Sequence, residues 1–123
     1  MYSERLLDHF QNPRNVGELP APAITVEASN PACGDIIRLS VEFQDGRVAR
    51  ARYRVRGCTA SIAAGSALTE WLAGKSTQQI GSLRAEDIDA AVGGLSNESK
   101  HAAVLCVDAA RLILRRQPPV RPI

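Results

Sequence analysis

The sequence predicts an α+β fold, a small three-stranded antiparallel sheet with helices packed on one face. Three stretches between residues 24 and 56 alternate apolar and polar residues with period two. After Gly57 the apolar spacing becomes helical and stays so almost to the end. Strands followed by helices, with no βαβ alternation, point to one sheet covered on one side.

The first element is a short helix. Ser3 can cap it, and Leu6, Leu7 and Phe10 are expected on its inward face. Asn12-Pro13 ends it, because the residue before proline avoids the α region. Val16 to Ala23, with Gly17, Pro20 and Pro22, reads as a loop.

Ile24 and Val26 then alternate with Thr25 and Glu27 in a brief strand. Ile37, Leu39, Val41 and Phe43 alternate with Arg38, Ser40 and Glu42 in a second. A third run is expected to turn Ala49, Ala51, Tyr53 and Val55 inward and Arg50, Arg52, Arg54 and Arg56 outward. A two-residue turn at Asp45-Gly46 would set each inward residue opposite an outward arginine. Matching the faces predicts a three-residue loop, with Gly46 left-handed at a bulge. The arginine ladder could hold phosphate, but the wet face of an antiparallel sheet explains it more simply.

Thr59 to Ala73 is Ala-rich and helical, and Gly74 stops it. Ser76 and Gln79 fit a capping box, Ala85 to Val92 suggests another short helix, and Gly93-Gly94 breaks it. A long helix follows from about Ser99 to Arg116, with Ala102, Leu105, Ala109, Leu112 and Ile113 as its buried stripe. Pro118, Pro119 and Pro122 end it. No repeat interrupts this order. The expected organisation is one domain over residues 1–117, with a Pro- and Arg-containing tail over 118–123.

Composition narrows the classes of function. The chain has 123 residues, 45% hydrophobic and 23% charged, and a net charge of +2. That charge is too small to argue for nucleic acid, although 13 of the 15 basic residues are arginine. No apolar run approaches a membrane span, and the first residues lack a signal peptide's apolar stretch, so a cytoplasmic location without membrane contact is expected. Three cysteines in a reducing compartment point to metal, catalysis or burial before disulfides.

Three places carry potential metal ligands. Pro31-Ala32-Cys33-Gly34-Asp35 sets a thiol and a carboxylate two apart in a tight loop. Gly57-Cys58-Thr59-Ala60-Ser61 sets a thiol at a helix start, where the positive end of the dipole favours a thiolate. His101 falls in the first turn of the last helix. Two thiolates, an imidazole and a carboxylate suit tetrahedral zinc or one edge of an iron–sulfur cluster. Each residue alone also has a plain structural reading, the cysteines as small buried residues and the histidine as a cap. Thr59 and Ser61 lack a nucleophile elbow, and residues 57 to 61 lack phosphate-loop spacing. His9, beside Phe10, reads as structural.

These motifs, in this order, resemble a known family. Tyr2-Ser3-Glu4 through Asp8-His9-Phe10, Asn12-Pro13-Arg14-Asn15-Val16-Gly17, Pro31-Ala32-Cys33-Gly34-Asp35, Gly57-Cys58-Thr59-Ala60-Ser61 and Thr69-Glu70-Trp71-Leu72-Ala73-Gly74-Lys75-Ser76 closely resemble the iron–sulfur cluster assembly scaffolds of the IscU, SufU and NifU N-terminal type. The resemblance implies a carrier and not an enzyme. A cysteine desulfurase would supply sulfur, iron would bind, and a labile [2Fe-2S] cluster would be passed to apoproteins. It further implies Cys33, Asp35, Cys58 and His101 as the ligands, with Asp35 keeping the cluster labile. Zinc is expected at the same site when no cluster is present.

Two departures from the family pattern stand out. Its third cysteine follows the histidine, where this chain has Ala102. Cys106 lies four residues beyond Ala102, about 40° around the helix from it and about 140° from His101. It is expected to be a buried core cysteine, with displaced ligation the lesser alternative. The docking prolines of the IscU branch are replaced by Leu95-Ser96-Asn97-Glu98-Ser99, so recruitment of the dedicated chaperone is not expected. The SufU insertion is also missing. Without the third thiol, any sulfur acceptor must be Cys33 or Cys58. Three readings follow: a scaffold with altered ligation, a zinc-bound SufU-like sulfur acceptor, or a divergent paralogue that no longer assembles clusters. The sequence leaves monomer and homo-oligomer equally open.

Overall fold

The structure, a computed structural model, describes residues 2–32 and 34–117. The expected ligand Cys33 and the tail over 118–123 lie outside the described residues. The elements in chain order are α1 (Glu4–Gln11), β1 (Ile24–Ser29), β2 (Ile36–Gln44), β3 (Arg47–Arg56), α2 (Thr59–Leu72), α3 (Thr77–Gly81), α4 (Ala85–Ala91) and α5 (His101–Arg116). A 3₁₀ turn at Asn97–Ser99 precedes α5, so the helix proper starts two residues later than its apolar spacing suggests.

The strands form one antiparallel sheet in the order β1-β2-β3. The α+β architecture is as expected, with α5 packed on β1 and β2 and α2 packed on β3. Val26, Leu39 and Tyr53 stand side by side across the sheet and point into the core, as do Ala28, Ile37 and Val55 one row on. The apolar faces of α2 and α5 meet them, with Leu68, Leu72, Leu105 and Ile113 almost wholly buried. Burial of such side chains at about 1.5–3 kcal/mol each is the main favourable contribution to this packing.

Two details differ from the sequence reading. The β2–β3 connection is a two-residue turn, with Asp45 at φ 55° and Gly46 at φ 78°, as a type I′ turn requires. Face matching is restored inside the strand instead. Glu42 pairs with Arg50 but Phe43 with Val48, so Ala49 is the extra residue of a bulge. Val48 is therefore buried and Ala49 exposed, the reverse of the expected assignment. The second difference is in α1, where Leu6 and His9 are buried while Leu7 and Phe10 remain more than a third exposed. His9 Nδ1 lies 2.8 Å from Ser66 Oγ on α2, and that hydroxyl supplies the hydrogen bond a buried imidazole needs.

The segment after α1 runs along and over the sheet. The Gly17 N–H donates to the Tyr53 carbonyl and the Tyr53 N–H to the Asn15 carbonyl, closing the outer edge of β3 there. Glu18 then reaches Arg38 on the solvent face at 3.1 Å. At the other end of the same edge, the Val48 N–H donates to the Lys75 carbonyl and the Gly74 N–H to the Val48 carbonyl.

Candidate metal centre

Three elements converge at one end of the sheet. Asp35 precedes β2, Cys58 is the N-cap residue of α2, and His101 is the first residue of α5. The β1–β2 loop is tied by the Asn30 N–H bonding the Asp35 carbonyl at 2.9 Å, and Asn30 Oδ1 accepts from the Ala32 N–H at 2.9 Å. Gly34, at φ 78°, lets the chain reverse beside the site.

One ligand atom each from Asp35, Cys58 and His101 lies within 4.8 Å of the others. Cys58 Sγ is 3.7 Å from His101 Nε2, which is 3.5 Å from Asp35 Oδ2. Metal–ligand bonds of about 2.0–2.3 Å give a tetrahedron edges of about 3.3–3.8 Å. Both separations from His101 fall in that interval, and the Cys58–Asp35 separation is bounded by 4.8 Å, so the three donors are close enough to converge on a single ion.

Supporting contacts set the chemistry of each donor. Asp35 is 6% exposed. Burial pushes its carboxyl up, but hydrogen bonds from Ser61 and Cys58 and the charge of His101 outweigh that and hold it below the ordinary carboxylate value. The carboxylate is therefore ionised at neutral pH. Ser61 Oγ donates to Asp35 Oδ2 at 2.6 Å and stands 3.5 Å from Cys58 Sγ. His101 Nδ1 is 3.0 Å from the Glu98 carbonyl. That oxygen only accepts, so Nδ1 carries a proton, and in the neutral ring Nε2 is the nitrogen left to face the other donors with a lone pair. Cys58 is a free cysteine exposed to solvent.

Of the residues singled out in the sequence, Asp35, Cys58 and His101 are brought together. Cys106 is 1% exposed in the hydrophobic core, where burial pushes its thiol up to about 12. Ala102 is fully buried in the same core. The supporting roles of Ser61 and of the Glu98 carbonyl were not read from sequence. A serine three residues past the cysteine, on the first turn of a helix, is the trace they leave.

A three-stranded sheet backed by two long helices, with thiol, imidazole and carboxylate gathered at one end, defines a small α+β domain with a candidate metal site. The family of NifU-like N terminal domains matches residues 1–116, and the chain belongs to it. The iron-sulfur cluster assembly scaffold protein IscU 1 of Archaeoglobus fulgidus is 35% identical over 111 residues, covering 90% of this chain and 72% of that protein. The protein named iron-sulfur cluster assembly scaffold IscU in Escherichia coli is 36% identical over 112 residues, 88% of this chain and 87% of its own. Among solved structures, a NifU-like N-terminal protein from Brucella abortus superposes with a TM-score of 0.72 at 16% identity, covering 93% of this chain and 92% of that one. A scaffold of the SUF system from Fervidobacterium islandicum gives 0.71 at 17% identity, covering 90% and 94%. At those identities the two structures establish the fold alone.

Proposed function

We propose that this protein is an iron–sulfur cluster assembly scaffold. It holds iron and sulfide, or a labile [2Fe-2S] cluster, through Cys33, Asp35, Cys58 and His101, and hands that cargo to apoproteins. The observation that carries the reading is the convergence of one ligand atom each from Asp35, Cys58 and His101 to within 4.8 Å of one another. The names of the relatives from Archaeoglobus fulgidus and Escherichia coli support it. A cysteine desulfurase is the expected sulfur source, and Cys33 and Cys58 are the thiols available to accept sulfur. The protein acts as a carrier: its residues bind and release the cargo and turn over no substrate of their own. The test is elemental analysis of protein purified without oxygen, with and without Cys58→Ala. Bound iron or zinc should fall to background in the variant, and undiminished metal would end the proposal.

A second reading is favoured by the same spacing. With Ala102 in place of a further thiol, the donor set suits one zinc ion as well as a cluster. A zinc-bound protein that accepts persulfide sulfur, as SufU-like proteins would, raises sulfide release by a desulfurase without the visible absorption of a cluster. Reconstitution followed by absorption spectroscopy separates the two.

A further inference from the structure

The outer face of the sheet carries charge that its own carboxylates do not balance. Antiparallel pairing aligns Glu27, Arg38 and Arg54 in one row, and Ser29, Ile36 and Arg56 in the next. Arg38 is held by Glu18 at 3.1 Å and Glu27 at 3.5 Å, and Arg50 by Glu42 at 2.8 Å. Among the described residues no carboxylate lies within ion-pair distance of Arg54 or Arg56. Arg54 stands directly opposite another guanidinium, that of Arg38, an arrangement that destabilises a sheet. A cavity of about 370 Å³ opens here, lined by Glu27, Ile36, Arg38, Arg54, Val55 and Arg56.

The position of this cavity matters. Ile36 directly follows Asp35, and Arg56 lies two residues before Cys58. The arginines thus stand on the solvent face of the same sheet end whose other face carries the candidate metal centre. A protein docked on Arg54 and Arg56 comes within reach of the exposed Cys58.

We infer that Arg38, Arg54 and Arg56 form a docking surface for the acidic face of a cargo-accepting protein. The inference rests on the scaffold reading for the identity of the cargo. It rests on charge complementarity for the chemistry of the partner. Clustered guanidinium–carboxylate pairs act mainly by raising the rate of encounter, and through it the affinity at low salt, which suits a partner that must arrive, take its cargo and leave. The shared requirement is clustered carboxylates, because two unpaired arginines over an apolar floor at Ile36 recognise charge pairs set on a surface.

The test measures binding of an acidic apo-ferredoxin to the full chain, by titration calorimetry at low and at 0.5 M salt. Wild-type protein should bind at low salt and lose most of its affinity at high salt. Arg54→Glu with Arg56→Glu should weaken low-salt binding by about tenfold or more, while its zinc content matches wild type and its melting temperature is no lower, since the carboxylate introduced at position 54 would face Arg38. Equal affinity in the two proteins overturns the inference, and so does absence of wild-type binding. Saturable binding of inorganic phosphate, abolished by the double variant while ferredoxin binding is unaffected, overturns it in favour of a small-anion site. Loss of metal in Cys58→Ala tests the scaffold reading separately.

Discussion

The carboxylate of Asp35 rests directly on the Cα of Gly57: a Cβ added at Gly57 would lie 2.5 Å from Asp35 Cγ and less than 3 Å from both carboxylate oxygens. Gly57 is not among the glycines with positive φ. Its backbone suits any residue, so the glycine is there to make room for the Asp35 carboxylate. Gly57→Ala should push Asp35 out of line with Cys58 and His101. The expected outcome is a fall in zinc affinity of about 10–100-fold, with a stability loss of about 1–3 kcal/mol from overpacking. Competition against a chromophoric chelator and urea unfolding of the metal-free protein read the two effects.

Ser61 ties the same carboxylate from the other side. Removing its hydroxyl in Ser61→Ala leaves a buried Asp35 oxygen without its shortest hydrogen bond. Stability should fall by about 1–3 kcal/mol. The d–d spectrum of cobalt bound at the site should also change shape, because the carboxylate is freer to rotate. An unchanged spectrum with unchanged stability would show that Ser61 orients nothing.

A pH dependence of stability is expected from His9. Burial, and next the charge of Arg14, lower its pKa from the ordinary histidine value of 6.5, against the weaker opposing pull of Glu70 and Asp8. The unfolded chain therefore binds a proton below about pH 6.5 that the folded chain resists. Stability contributed by neutral His9 is intact above that pH and is lost as the pH falls through the folded-state value. The melting temperature should drop between pH 7.5 and 5.5, and His9→Gln should flatten that drop. A slope identical in the variant places the titration elsewhere.

Cys106 should behave as core. Its thiol, buried and pushed up to about 12, is predicted to resist alkylation in the native protein and to react once urea unfolds it. Cys106→Ala should leave metal content unchanged while lowering stability by about 1–2 kcal/mol. Loss of metal in this variant, with the fold intact, would bring Cys106 back as a ligand.

The sequence made the architecture legible where periodicity is strong. The alternation of Ile37, Leu39 and Val41, the capping box at Ser76 and Gln79, and the glycine stop at Gly74 all reappear in place. Its failures have tertiary causes. Hydrophobicity alone put Phe10 inward, but the inward place went to His9, because Ser66, 57 residues away, satisfies its imidazole. Parity alone required an odd loop, but a bulge at Ala49 solved the same problem inside β3. At the site, residue type, local setting and the family resemblance picked out Cys33, Asp35, Cys58 and His101 as candidates, of which Cys33 lies outside the described residues. Those signals had no means of showing that Ser61 would reach Asp35 or that the Glu98 carbonyl would fix the imidazole, since both contacts depend on how α2 and α5 meet the sheet.

The outer edge of β3 is bonded at Tyr53 by Asn15 and Gly17 and at Val48 by Gly74 and Lys75. Two clasps, one from the segment before β1 and one from the segment after α2, thus occupy backbone groups that another strand would otherwise template on. The bonded border is in this way guarded against self-association by strand addition there, although the thiol of Cys58 stays exposed.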